Sequence, residues 1–82
     1  MTIEARFLSN DIAGKLRDGQ YELPDDATVG TLMETAVNEA NLDLTEDQKN
    51  SYVFVLDNSP AFYQTKLNDG GKLRVMFKIL GG

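Results

Sequence analysis

The sequence predicts an α+β fold in which a mixed sheet of four or five strands packs on one main helix. Two observations lead to this prediction: segments with period-two hydrophobicity stand at both ends of the chain, and only one long segment has helical periodicity. A doubly wound parallel fold needs more helices, so the single helix must cover one face of the sheet. The 82 residues fit one domain, 1–82, with a flexible tail at residues 80–82.

The N-terminal segment predicts a β-hairpin. In TIEARFL, the apolar Ile3, Ala5 and Phe7 alternate with polar residues, which is typical of a half-buried strand. SNDIAGKLRDGQ then supplies the Asn, Asp and Gly residues of a turn region, and YELP follows as a short second strand that ends at Pro24. We therefore expect these two strands to pair.

The next segment, DDATVGTLMETAVNEAN, predicts the main helix. Thr28 is the candidate N-cap, and Asp25 and Asp26 are close enough to favour the positive end of the helix dipole. Its apolar side chains form one stripe, which we assign to core packing: Val29, Leu32, Met33, Ala36, Val37 and Ala40.

The second half of the chain predicts a loop and three extended segments. LDLTEDQKNS is a polar loop with room for one helical turn. YVFVLD is apolar at nearly every position, which indicates a central strand whose second face is covered by something other than bulk water. NSPAF predicts a turn that leads into a short extended piece. LNDGG predicts another turn, with Gly70 and Gly71 at positive φ. In the last strand, Leu73 and Val75 alternate with Arg74 and Met76.

Composition excludes several classes of function. The absence of cysteine and histidine removes disulfides, thiolate nucleophiles and the commonest metal ligands and general base. The net charge of −5 argues against nucleic-acid binding. No apolar run is long enough to span a membrane, and MTIEARFLSN lacks the apolar core of a signal peptide, so we expect a cytoplasmic protein without membrane contacts.

Positive charge is concentrated near the C-terminus. Residues 66–82 carry a net charge of +3, and residues 1–65 carry −8. Two interpretations remain open: the basic side chains protect an exposed strand edge from aggregation, or they steer a partner.

The chain resembles the ubiquitin-like sulfur-carrier family, which includes MoaD, the small subunit of molybdopterin synthase, and the thiamine carrier ThiS. The similarity covers essentially the whole chain and is carried by the order of ATVGTLMETA, the turn at LDNSP, TKLNDGGKLRVMF and the final GG. Two features depart from the family: FKIL stands where a proline-containing segment is usual, and DNSP replaces an Asn-Gly turn. The resemblance implies a β-grasp fold.

The resemblance also implies a mechanism. An adenylating enzyme similar to MoeB or ThiF would use ATP and Mg²⁺ to convert the Gly82 carboxylate into an acyl-adenylate and then a thiocarboxylate. The chain would be a carrier or cosubstrate and not an enzyme, and it would deliver sulfur to a synthase subunit, either MoaE-like or a thiazole synthase. Gly81 and Gly82 have no side chains to obstruct a narrow channel.

Residues before the diglycine are candidates for partner binding. Lys78, Ile79 and Leu80 form either a recognition stem or the frayed end of the last strand. Arg74 and Met76 are expected to face outward, where they would join exposed side chains of YVFVL in a partner-binding patch.

Several functions remain open at this stage. Chain length favours sulfur donation to molybdopterin over thiamine, and a tail ending in KILGG also suits a modifier that is joined to target lysines. A β-grasp interaction domain with a chemically idle terminus is the third alternative. An independent enzyme is disfavoured, because the acidic pairs Asp25-Asp26 and Glu46-Asp47 are typical of solvated turns and helix caps.

Overall fold

A five-stranded mixed sheet packs on one long helix. The computed structural model describes residues 1–8, 12 and 14–77. The elements in chain order are β1 (Thr2–Phe7), β2 (Gly19–Glu22), α1 (Val29–Glu39), α2 (Glu46–Asn50), β3 (Tyr52–Leu56), β4 (Ser59–Ala61) and β5 (Lys72–Phe77). The predicted α+β fold is confirmed, and the helical turn in the polar loop is α2.

The last strand of the chain is the middle strand of the sheet. The strand order is β2-β1-β5-β3-β4. The β1–β5 pair is parallel, and the β1–β2, β3–β5 and β3–β4 pairs are antiparallel. The predicted N-terminal hairpin is therefore confirmed. The basic residues of β5 do not lie on a sheet edge, so the edge-protection interpretation is wrong for this strand.

The hydrophobic core lies between α1 and one face of the sheet. The predicted inward side chains of β1 are buried, and the helical stripe is buried from Val29 to Ala36, with Val37 and Ala40 only partly buried at its end. The largest side chains of this core that are almost completely buried are Tyr21, Phe7, Ile3, Ile12, Leu32, Met33, Leu73, Val29 and Val75.

The start of α1 is fixed by its cap and by the segment before β5. The Thr28 hydroxyl accepts a hydrogen bond from the Thr31 N–H, at 3.3 Å, which confirms the predicted N-cap. Gly30 N donates to Tyr63 O at 2.9 Å, and a Cβ added at Gly30 would lie 2.9 Å from Tyr63 Cδ1. This close approach requires a residue without a side chain.

The Gly70-Gly71 turn differs in part from the prediction. Gly70 has the expected positive φ of +82°, whereas Gly71 does not have a positive φ. Gly71 is buried, and a Cβ there would lie 2.9 Å from the Asn68 carbonyl oxygen. Lack of space, and not backbone conformation, therefore requires glycine at position 71. No helix within the described residues is long and apolar enough to cross a membrane.

Candidate partner-docking face

The candidate site is the face of the sheet opposite α1, which we call the open face. Along β5, Leu73 and Val75 are buried in the core, while Lys72 and Arg74 are exposed and Met76 is partly exposed. The predicted outward orientation of Arg74 and Met76 is confirmed, and their role in partner binding stays a prediction. The other candidate site residues, Lys78, Ile79, Leu80, Gly81 and Gly82, lie outside the described residues.

An apolar strip crosses the open face beside the end of β5. Val53 of β3 lies opposite Met76, and Val55 lies opposite Pro60 of β4. The β3–β4 register, continued by one residue, places Phe62 opposite Val53. Phe62 is 70% exposed and Val53 is 38% exposed. These five residues define the apolar strip.

The apolar strip includes the outer side chains of β3. The prediction that YVFVLD forms a central strand is confirmed, since β3 lies between two other strands, and the covering of its second face stays a prediction. Its inner face is buried, but Val53 is exposed and Val55 is only partly buried on the other face. Exposed apolar side chains in neighbouring positions are a feature of interaction sites.

A cationic cluster lies next to the apolar strip. Arg6 of β1 lies directly opposite Arg74 of β5, and both side chains are exposed. Lys72 lies on the same face, opposite Glu4. Within residues 1–8, 12 and 14–77, none of the three cationic groups lies within 4.0 Å of a carboxylate oxygen. We call Arg6, Lys72 and Arg74 the cationic cluster.

The turn between β3 and β4 holds Arg74 in place. Asp57 and Asn58 form its two central residues, with φ of +51° and +68°, as in the two-residue turns that suit a twisted hairpin. Asn58 Oδ1 accepts a 2.7 Å hydrogen bond from Arg74 Nη2. Asp57 Oδ1 accepts a 2.9 Å hydrogen bond from the backbone N–H of Lys72. The turn and the cluster, together with Glu4 and Leu73, line a shallow groove of about 510 Å³, so the carboxylates of Glu4 and Asp57 border it beside the three cations.

Sequence reasoning missed three residues of this face. Arg6 alternates with the core residues of β1, so its outward orientation was readable, but its pairing with Arg74 depends on the sheet order. Asn58 and Phe62 were assigned only to a turn and an extended piece. Their places follow from the β3–β4 register, which links positions that no local pattern relates.

A second group of contacts, away from the open face, ties β2 to the end of α1. Arg17 Nε donates to Glu39 Oε2 at 3.1 Å, and this hydrogen bond raises the pKa of Arg17. The guanidinium lies 4.1 Å from the ring centre of Tyr21, whose pKa is raised by burial. Burial also raises the pKa of Tyr63. In the described part of the chain, no group of three or more acidic side chains is placed to hold a metal ion.

Three solved structures share this fold over nearly the whole chain. A crystal structure of SAMP1 from Haloferax volcanii has a TM-score of 0.75 at 19% identity, with complete coverage of both chains. A crystal structure of H. volcanii small archaeal modifier protein 1 has a TM-score of 0.75 at 17% identity, covering 95% of this chain and 98% of that one. The solution structure of the H. volcanii HVO 2177 protein has a TM-score of 0.74 at 25% identity, covering 100% and 87%.

These likenesses confirm the ubiquitin-like β-grasp fold that the sequence resemblance implied. No family model matches the sequence. A comparison with curated proteins found no significant match.

Proposed function

We propose that this chain is a ubiquitin-like carrier that acts through the carboxylate of Gly82 and, like MoaD, donates sulfur in molybdopterin biosynthesis. The observation that carries the proposal is the position of β5. β5 is the middle strand of the sheet, its Met76 belongs to the apolar strip, and in the sequence β5 is followed by Lys-Ile-Leu-Gly-Gly. A partner that binds the open face can therefore receive the diglycine in its own active site.

The proposed chemistry has two steps on a partner enzyme. First, a Gly82 carboxylate oxygen attacks the α-phosphorus of ATP, with Mg²⁺ bound by the partner, and pyrophosphate leaves. Second, a hydrosulfide equivalent attacks the acyl carbon, so that a C–S bond forms, the C–O bond to AMP breaks and one proton is released. The product is a thiocarboxylate, which allows a chain without cysteine to carry sulfur.

The number of residues between β5 and the Gly82 carboxylate limits the position of the partner's active site. Five residues follow β5, and five fully extended residues span at most about 17 Å. The partner's ATP site should therefore lie within about 17 Å of its contact with the end of β5. Small residues at positions 81 and 82 suit a narrow approach to the nucleotide.

Intact-mass measurement tests the activation step. The full chain is incubated with a MoeB-like adenylating enzyme, ATP, Mg²⁺ and sulfide, and the expected product has one oxygen replaced by sulfur. The matched control is the same chain with one alanine added after Gly82, which moves the carboxylate away from the diglycine. An unchanged mass with every such enzyme of the source organism, or equal loading of the extended chain, would contradict the proposal.

A second candidate function is protein modification, in which Gly82 is joined to a lysine of a target protein. The observation that favours it is the likeness to H. volcanii proteins described as small archaeal modifiers. Trypsin cuts after Lys78, so a modified target lysine would keep a branch of Ile79, Leu80, Gly81 and Gly82. Mass spectrometry of digested cell protein should find this branch if the chain is a modifier, and a Lys78→Arg variant should give the same branch.

The identity of the sulfur acceptor separates the two carrier pathways. A MoaD-like carrier should bind a MoaE-like subunit and a ThiS-like carrier should bind a thiazole synthase. Deletion of the gene should lower cellular molybdopterin in the first case and thiamine in the second. Loss of thiamine alone would replace the molybdopterin assignment with the ThiS-like alternative.

A further inference from the structure

We infer that Arg6 and Arg74 form a carboxylate-binding pair that selects a protein partner with acidic side chains beside an apolar contact, and that Asn58 is the positioning residue for Arg74. This inference concerns the partner's surface and does not depend on the chemistry at Gly82. It rests on the arrangement of charges on the open face.

The first argument is that the arginine pair is unfavourable for the isolated chain. Arg6 and Arg74 occupy neighbouring positions on the same face of the parallel strands β1 and β5, and like charges on neighbouring strands repel each other. The chain has 13 acidic residues, yet none of the described acidic side chains forms an ion pair with either arginine. Because β5 is the middle strand, these charges do not protect an edge. A bound carboxylate would relieve the repulsion.

The second argument is the position of Asn58. Glycine fits a turn residue with a φ of +68° better than asparagine does, and Asp-Gly is a favoured sequence for two-residue hairpin turns. The amide of Asn58 instead accepts the 2.7 Å hydrogen bond from Arg74 Nη2. This hydrogen bond restricts the Arg74 side chain before binding. Arg74 therefore loses less conformational entropy when it binds a carboxylate.

The third argument is the neighbourhood of the pair. Val55 lies opposite Arg74, and Met76 is the next outward residue of β5, so the position of Arg74 on the sheet borders the apolar strip. Arginine binds carboxylates through two parallel hydrogen bonds, which also fixes orientation. A partner segment with glutamate or aspartate next to a leucine-like side chain matches both parts of the face. The net charge of −5 disfavours a nucleic acid as the occupant.

The test uses the full chain, labelled with ¹⁵N, and two capped peptides. One peptide contains four glutamates and two leucines, and the other has glutamine at each glutamate position. We expect the acidic peptide to bind more tightly and to shift the amide signals of Arg6, Asn58 and Arg74. R6Q/R74Q should lower the affinity for the acidic peptide about fivefold, as loss of two exposed ion pairs implies. The matched control K66Q removes an exposed cation away from the pair and should leave the affinity unchanged.

Asn58→Gly tests the positioning role separately. We expect the free energy of unfolding to be unchanged or higher, because glycine suits the turn, and the affinity for the acidic peptide to fall about twofold. The Arg74 side-chain Nε–H signal should show greater motion in this variant. A structural role alone would lower stability and leave that signal unchanged.

Four results would overturn the inference. The first two are equal affinities of the chain for the two peptides, and an equal loss of affinity for the acidic peptide in K66Q and R6Q/R74Q. The third is an affinity of Asn58→Gly for the acidic peptide equal to that of the wild type. The fourth is a single-stranded oligonucleotide that binds more tightly than the acidic peptide and shifts the amide signals of the same residues.

Discussion

The two faces of the sheet carry the same apolar residue types, but these are buried on one face and exposed on the other. Phe54 on the face against α1 is 4% exposed, and its ring lies 5.1 Å from that of Tyr63 in an edge contact. Phe62 follows the neighbouring strand and is 70% exposed on the other side. The two rings lie on opposite faces, Phe54 within the central strand β3 and Phe62 directly after the edge strand β4. Hydrophobicity therefore identifies apolar residues, and topology decides whether the core buries them or leaves them exposed.

The largest expected effect separates the two phenylalanines. Phe54→Ala should lower the free energy of unfolding by about 3–5 kcal/mol, because it opens a cavity in the core. Phe62→Ala should change it by about 0.5 kcal/mol or less and should weaken binding of an activating enzyme. Urea unfolding measures the first quantity, and Phe54→Leu gives a smaller loss if Phe54→Ala does not fold. Equal losses at the two positions would show that Phe62 belongs to the core.

The next largest effect is expected where α1 closely approaches the segment before β5, at Gly30. Gly30→Ala should lower the free energy of unfolding by about 1–3 kcal/mol, because the new Cβ meets Tyr63, although alanine is the better helix former. The control is Glu34→Ala, an exposed position on the same helix, which should change stability by about 0.5 kcal/mol or less. Stabilisation by Gly30→Ala would show that Tyr63 can move away.

A smaller effect of the opposite sign is expected on the open face. Arg6→Gln should raise the free energy of unfolding by about 0.2–1 kcal/mol, because it removes a like-charge pair. The gain should disappear in 1 M salt, where the screening length is about 3 Å. Urea unfolding at low and high salt measures the difference. A loss of stability at low salt would indicate that Arg6 contributes to the fold and not to binding.

The smallest expected effect is a pH dependence of the free energy of unfolding that arises from two partly or fully buried tyrosines. Burial raises the pKa of Tyr21 and of Tyr63 in the folded state. Above about pH 10 the unfolded chain therefore loses these protons first, and the free energy of unfolding should fall as pH rises through the folded pKa values. Tyr63→Phe keeps the ring and should reduce this dependence. An equally steep fall in Tyr63→Phe would assign the effect to other groups.

Local patterns in the sequence were sufficient for most of the fold. The alternation of Ile3, Ala5 and Phe7 and the stripe from Val29 to Ala36 each lie in one segment, so hydrophobic periodicity identifies their buried sides. The family resemblance added the β-grasp topology. The outward orientation of Arg74 and Met76 followed from the same period-two reasoning.

The error at Gly71 is local, and the other concerns contacts between distant segments. A Cβ at Gly71 would lie 2.9 Å from the Asn68 carbonyl oxygen of the same turn, a steric limit that the residue types of a turn do not reveal. The exposure of Phe62 depends on its register with β3. The basic residues of β5 were compatible with an edge until pairing with β1 and β3 placed them in the middle.

The sheet order also has a consequence for synthesis on the ribosome. β1 and β3 are translated before β5, but each needs β5 as a neighbour. The two hairpins and α1 have local contacts and can form early, whereas the nascent chain keeps one side of β1 and one side of β3 unpaired until the final strand emerges. A nascent chain that stops before β5 would therefore carry two separate half-sheets with unpaired strand edges, which are sites of aggregation.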